Sequence, residues 1–228
     1  MWGQYNEKMK LLDLCCKAGG TSKGYKDAGF DVIGVDTVSQ PNYPFEFRLG
    51  DGLEFLSKYG QDFDLISVSP PCQKYSKSAT QWRKEGKEYP DLISPFRRLL
   101  IKLGKPYVIE NVPGAPLINP IFLNGYMFGI LVHRPRYFEC SFPVKQPNIL
   151  TSSPKPIKMG RPVKDGDIIQ PVGHFSGVEY ARKQMEISWM NQEELSQAIP
   201  PVYTKYIGEQ WIEYIHESPI NGTTKNLV

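Results

Sequence analysis

The segment Lys10–Asp36, KLLDLCCKAGGTSKGYKDAGFDVIGVD, decides the fold. Lys10–Cys15 is a mostly apolar run of strand length and reads as a buried first strand. Gly19-Gly20 follow directly, and Thr21 or Ser22 can cap a helix over Lys23–Ala28 that Gly29 closes. Asp31–Asp36 alternates into a second strand that ends on a carboxylate. Strand, glycine turn, helix, strand and terminal acid form the nucleotide-binding pattern of a doubly wound α/β fold. Glycines let the backbone approach the ligand, and the carboxylate accepts from ribose hydroxyls.

The elements that follow extend this sheet. Pro44–Leu49 is extended, and Asp51, within Gly50-Asp51-Gly52, is placed to cap a helix over Leu53–Lys58. Phe63–Ser76, FDLISVSPPCQKYS, holds a short apolar strand, Leu65–Val68, that Pro70-Pro71 stop abruptly. The chain then presents Cys72 and Gln73 on a rigid turn at the carboxyl end of a strand, where α/β domains bind ligands. A thiol in that place is a candidate nucleophile; the alternative is a small buried hydrophobe. Lys74–Asp91 is a long polar loop in which Tyr75, Trp82 and Tyr89 alternate with Lys77, Arg83, Lys84 and other charges, a pattern that suits a phosphate backbone and its bases.

Leu92–Leu103 has helical periodicity and Gly104 caps it. Pro106–Ile109 is then a strand whose carboxyl end carries Glu110, in the same kind of place as Cys72. Arg134-Pro135-Arg136 opens a strand through Cys140, and alternation would set both guanidiniums near one face. Ser141 to about Tyr180 is rich in proline, glycine and lysine, shows no clear helix and reads as a small irregular lobe. Asn191 starts a helix to Ala198, Pro200-Pro201 end it, Val202–Ile215 is a last amphipathic helix, and residues 218–228 read as a disordered tail.

Composition narrows the class. The 228 residues suffice for one domain with a sizeable core, and 40% hydrophobic with 22% charged residues is ordinary for a globular chain. The net charge of +3 is too small to argue a partner alone. The four cysteines show neither framework spacing nor a CxxC pair, which disfavours disulfides and zinc and fits a reducing cytoplasm. The opening MWGQYNEKMKLLDL lacks the apolar core of a signal peptide, and no stretch reaches membrane-spanning length.

Taken together, the motifs resemble the DNA cytosine carbon-5 methyltransferase family. Asp13-Leu14-Cys15-Cys16-Lys17-Ala18-Gly19-Gly20 is similar to its first motif, with Cys15 where phenylalanine is usual and Lys17 where glycine is usual. Pro70-Pro71-Cys72-Gln73 matches its nucleophile motif and Glu110-Asn111-Val112 its second catalytic motif. Arg134 and Arg136 match the next motif, with Val132 for its leading glutamine. Ser196-Gln197-Ala198-Ile199-Pro200-Pro201 is similar to the late motif, with its first two positions changed.

The resemblance implies a Rossmann-like α/β sheet with helices on both faces, S-adenosylmethionine as cofactor with S-adenosylhomocysteine as product, and double-stranded DNA as partner. It implies Cys72, Glu110, Arg134 and Arg136 as catalytic residues. Asp13, Cys15, Ala18, Gly19, Gly20, Asp36, Asp51, Pro70, Gln197 and Ala198 would line the cofactor cleft. Gln73, Ser76, Lys77, Arg83 and Lys84 would meet DNA. Residues 1–140 would form the catalytic domain, 141–185 the target-recognition lobe, and 186–217 a segment returning to the catalytic domain, in a cytoplasmic monomer of the compact kind that phages encode. An amino-directed methyltransferase would carry an aromatic residue where Cys72 stands. A non-catalytic binding homologue, or one acting on RNA or nucleotide cytosine, are the remaining alternatives.

Overall fold

The computed structural model describes residues 8–76, 80–148, 155–158 and 160–217. Its centre is a seven-stranded sheet built from β1 (Lys10–Leu14), β2 (Asp31–Asp36), β3 (Glu46–Leu49), β4 (Leu65–Val68), β5 (Tyr107–Asn111), β6 (Ile121–Leu123) and β7 (Arg136–Cys140). The order is β3-β2-β1-β4-β5-β7-β6, parallel through β5, with β7 antiparallel to both of its neighbours. The order reverses between β1 and β4, so their carboxyl ends open the crevice in which such sheets bind ligands.

Both faces are covered, as alternation along buried parallel strands requires. Leu11, Leu65 and Val108 point into one layer with Tyr25, Tyr203, Ile207 and Trp211. Leu12, Ile66 and Ile109 point into the other with Leu56, Phe96 and Leu100. The helices supplying these layers are α1 (Gly20–Asp27) and α7 (Pro201–Glu217) on the first face, α2 (Gly52–Tyr59) and α4 (Ile93–Leu103) on the second. A third cluster, Val132, Ile169, Phe175, Ala181, Met185 and Leu195, gives the lobe its own small core.

Several elements differ from the sequence expectation for local reasons. Helix α1 starts at Gly20 because Gly19 takes a left-handed φ of 88° as its N-cap, and the Ser22 hydroxyl is turned inward to Asp13 instead of capping. Strand β5 runs on through Glu110 and Asn111 because β7 pairs with both. The polar loop contains a short helix, α3 (Thr80–Lys84). The lobe is not helix-free: α5 (Val178–Met185) follows a left-handed Gly177 and buries Ala181 and Met185. Asn191 caps α6 (Gln192–Gln197) with a reciprocal capping box to Glu194, and Pro201 opens α7 instead of closing α6, since proline at the first helical position loses no hydrogen bond. The expected tail at 218–228 lies outside the described residues.

Helices α1 and α7 touch at a glycine. A Cβ built on Gly24 would stand 2.0 Å from the Pro201 carbonyl oxygen and 2.1 Å from Thr204 Oγ1. Thr204 Oγ1 also donates to the Thr21 carbonyl at 2.8 Å, so this helix pair has no slack. Gly24→Ala is expected to lower stability by about 1–3 kcal/mol, the usual cost of overpacking. A chemical-denaturation midpoint equal to wild type would show that the helices separate freely.

Candidate active site

The parallel register pairs Val68 with Ile109, so β4 and β5 end side by side. From β4 the chain turns through Ser69 and the buried Pro70 into Pro71 and Cys72; from β5 it presents Glu110 and Asn111. Asn111 Nδ2 donates to the Pro70 carbonyl at 2.9 Å, pinning the proline turn to the neighbouring strand. The Cys72 carbonyl accepts from the amides of Tyr75 and Ser76, at 2.9 and 2.8 Å, which closes the turn behind the thiol. Asn111 was part of a recognised motif, but its positioning role needed the fold to be seen.

Glu110 is 5% exposed, and its Oε1 lies 3.0 Å from Arg136 Nε. Burial raises the Glu110 pKa above the usual carboxylate value, with the Arg136 and Arg134 charges pulling against it. The half-buried Cys72 thiol is also pushed up, first by burial and then by the Glu110 charge, while the two arginines oppose. The thiol therefore rests protonated, and the site does not hold a preformed thiolate. It holds a buried carboxyl, paired with a guanidinium, near a sulfur on a rigid turn.

The two arginines diverge, contrary to the expectation of a shared face. Arg136 lies in β7 and reaches Glu110, whereas Arg134 precedes the strand and its guanidinium is spent on backbone carbonyls. Its Nε donates to Ala198 at 3.1 Å, Nη1 to Pro171 at 2.7 Å and Nη2 to Ser196 at 2.6 Å. Burial pulls the Arg134 pKa down to about 9, Arg136 adding to the shift.

The expected cofactor residues converge around the ends of β1, β2 and β3. Cys15 and Lys17 have positive φ values of 59° and 48°, so Lys17 adopts by strain the conformation that glycine takes freely, with its side chain exposed. Its amide donates to Asp36 Oδ2 at 3.1 Å, and Val38 donates to Asp36 Oδ1 at 3.1 Å. Asp51 Oδ1 caps α2 through Leu53 and Glu54 and leaves Oδ2 outward. The Ala18 carbonyl accepts from Trp189 Nε1 at 2.8 Å, and a Cβ on Gly20 would meet the Ile199 carbonyl at 2.6 Å and Ala198 Cβ at 3.4 Å. Gln197 is exposed next to that contact. Pro70 belongs to the adjoining nucleophile turn.

Sequence reasoning missed Tyr43. Its hydroxyl shares a 2.7 Å hydrogen bond with Ser22 Oγ, which in turn donates to Asp13 Oδ2, and its ring lies against Gly19 and Gly34. A lone tyrosine in the β2–β3 connection carries no motif that would have found it. Asp13 is fully buried, its Oδ1 has no hydrogen-bond partner, and burial raises its pKa to about 7. Buried carboxylate acceptors beside a glycine turn fit a ligand that carries hydroxyls and positive charge, as S-adenosylmethionine does.

On the side expected to meet DNA, Gln73 is exposed and Lys84 stands free of the fold surface. Arg83 turns back, donating to the Gln73 and Ser76 carbonyls at 2.5 and 2.8 Å. It thus holds α3 against the nucleophile turn, with Trp82 54% exposed beside it. Lys77 lies outside the described residues.

Comparison with known proteins agrees with this geometry. The C-5 cytosine-specific DNA methylase family matches residues 9–119, which span the glycine turn, Cys72 and Glu110. The Type II methyltransferase M.HgiGI of Herpetosiphon aurantiacus is 29% identical over 123 residues, covering 48% of this chain and 94% of that protein. M.HindV of Haemophilus influenzae is 30% identical over 118 residues, 46% of this chain but only 38% of the relative. A candidate DNA modification methyltransferase encoded within an E. coli prophage has the same fold, with a TM-score of 0.66 at 14% identity over 92% of this chain and all of that one. A DNMT2 mutant from Spodoptera frugiperda also shares the fold, with a TM-score of 0.63 at 12% identity over 92% of this chain and all of that one. Over residues 9–119 the chain is thus similar to the C-5 cytosine-specific DNA methylase family.

The buried Asp13 gives the site a measurable signature. Its pKa is near 3.8 unfolded and about 7 folded, so its stabilising contribution is complete below 3.8 and is lost as pH rises towards 7. Asp13→Asn should remove that dependence, so that the variant gains on wild type between about pH 4 and 7. Denaturation midpoints across that range test this, and a constant offset between the two proteins would exclude Asp13 as the source.

Proposed function

We propose that this chain transfers a methyl group from S-adenosylmethionine to carbon 5 of cytosine in double-stranded DNA, through a covalent adduct with Cys72 on a flipped base. The observation that carries this reading is the convergence of Cys72, Glu110 and Arg136 at the joined ends of β4 and β5. The match of residues 9–119 to the C-5 cytosine-specific DNA methylase family supports the same chemistry. The chain spans under two fifths of several larger Type II relatives, M.HindV among them, so the activity of the whole protein is part of the proposal.

Carbon 5 of cytosine is a weak nucleophile and must be activated. Cys72 Sγ bonds to carbon 6, losing its proton as the attack proceeds, and the electron pair of the ring double bond moves onto carbon 5. Glu110, whose burial lets it retain a proton, donates to the ring N3 and accepts from the exocyclic amino group. Arg136 holds the ring carbonyl and offsets the charge that builds there. Asp13, Asp36, Asp51 and the turn at Gly19-Gly20 would hold S-adenosylmethionine, which supplies an electrophilic methyl to the activated carbon. Loss of the carbon-5 proton to water then lets the Cys72 bond break.

A paired base cannot reach a thiol on such a turn, so the nucleotide leaves the stack. The loop after Gln73 closes over it, with Ser76 and Lys84 towards the phosphates, while Arg83 braces the turn. The 141–185 lobe reads the site, and 186–217 returns to complete the cofactor cleft. The chain acts as a monomer in the cytoplasm, as a modification enzyme of the Type II kind; among the described residues no helix is long and apolar enough to cross a membrane.

Incubation with labelled S-adenosylmethionine and unmodified DNA should place label in 5-methylcytosine. Cys72→Ser should lose the transfer yet bind S-adenosylhomocysteine with wild-type affinity. Label in another nucleoside, or transfer by the serine variant, would end this reading. A lobe of some forty residues offers few bidentate base contacts, each worth about 1–3 kcal/mol, and implies a site of about two to four base pairs. Bisulfite sequencing of methylated DNA tests this, and a strict six-base site would refute it.

A further inference from the structure

We propose that Arg134 is a positioning residue that couples the glycine-turn cleft to the 141–185 lobe, so that filling either tightens the other. The proposal rests on the reading of these regions as cofactor cleft and DNA-recognition lobe. Arg134 is 4% exposed, and each nitrogen of its guanidinium donates to a backbone carbonyl of a segment distant in sequence. Two of those carbonyls, Ser196 and Ala198, belong to the segment packed on the glycine turn, where a Cβ on Gly20 would meet Ile199 and Ala198.

The third carbonyl, Pro171, belongs to the lobe. It lies two residues after Ile169, which bridges Val132 in parallel, accepts from the His133 amide at 2.8 Å and donates to the Leu131 carbonyl at 3.0 Å. The main chain of Arg134 is itself fixed: its amide donates to Asn124 Oδ1 at 2.9 Å and its carbonyl accepts from the Tyr203 hydroxyl at 2.9 Å. One immobile, buried cation therefore holds both walls.

The physical basis of coupling is the cost of leaving that cation underpaired. A buried guanidinium that loses one carbonyl is left partly uncompensated in a low dielectric, whichever wall has moved. A displacement of the Ser196–Ala198 segment is thus opposed by the bond to Pro171, and the reverse holds equally. Arg136, directed at Glu110, takes no part in this arrangement.

The test uses hydrogen exchange and equilibrium binding on the full chain. In the wild type, S-adenosylhomocysteine alone should slow exchange at the His133 and Ile169 amides. It should also tighten binding of a cytosine-containing duplex by about fivefold or more, with DNA tightening S-adenosylhomocysteine by the same factor. In Arg134→Lys, whose ammonium cannot span three diverging carbonyls, that factor should fall towards one while each ligand still binds alone. S-adenosylhomocysteine binding with no change at His133 and Ile169 would overturn the coupling alone, as would an undiminished factor in the lysine variant. No binding of S-adenosylhomocysteine to the wild type would overturn the cofactor reading and the coupling with it. Should the lysine variant not fold, the wild-type exchange result decides.

Discussion

The hydrogen bond from Asn111 Nδ2 to the Pro70 carbonyl joins the two chain exits on which the chemistry depends. Parallel pairing of β4 and β5 brings these exits to the same edge, but pairing alone would leave the proline turn hinged at Ser69. The Asn111 amide removes that freedom and does so from the residue adjoining Glu110, so thiol and carboxyl are indexed to one rigid strand. Proline serves the same purpose from the other side, because it restricts the backbone and gives up no donor that a ladder would have used. Cys72 is thereby held by main-chain geometry.

The site around it is expensive in electrostatic terms. Asp13, Glu110 and Arg134 are all buried, and burial shifts each towards its neutral form. Such groups are retained where they hold a ligand or shape a reacting environment, since apolar replacements would be cheaper for stability. The raised pKa of the Cys72 thiol fits the same picture, since burial and the Glu110 charge both oppose a thiolate there. The core elsewhere is made of ordinary aliphatic and aromatic layers.

Two central strands of the parallel half were readable because each is an apolar run closed by an acid or by prolines. Asp31–Asp36 and Leu65–Val68 coincide with β2 and β4 for that reason. The family resemblance was readable because the motifs that carry it fall in order along the chain, two of them at strand ends. What the sequence hid were relations between distant segments. Ser22 looked like a helix cap because serine commonly is one, and only the burial of Asp13 beneath it redirects its hydroxyl. Arg134 and Arg136 look equivalent in a strand pattern, yet Arg134 stands outside β7, where three carbonyls from two remote segments claim it. Helix α5 was hidden by its neighbourhood of prolines and glycines and by a non-glycine left-handed end at Glu186.

The packing of α7 on α1 has a consequence for the order of events during synthesis. The turn that begins at Gly19 leaves the ribosome well before its supporting partners. Thr204 reaches back 183 positions to Thr21, and Trp189 reaches back 171 to Ala18. Contacts of such separation form only after the intervening chain has been ordered or released. The nascent chain can thus assemble most of its sheet while its first turn is still unsupported on one side. The glycine turn is therefore closed on all sides only once α7 has docked on α1.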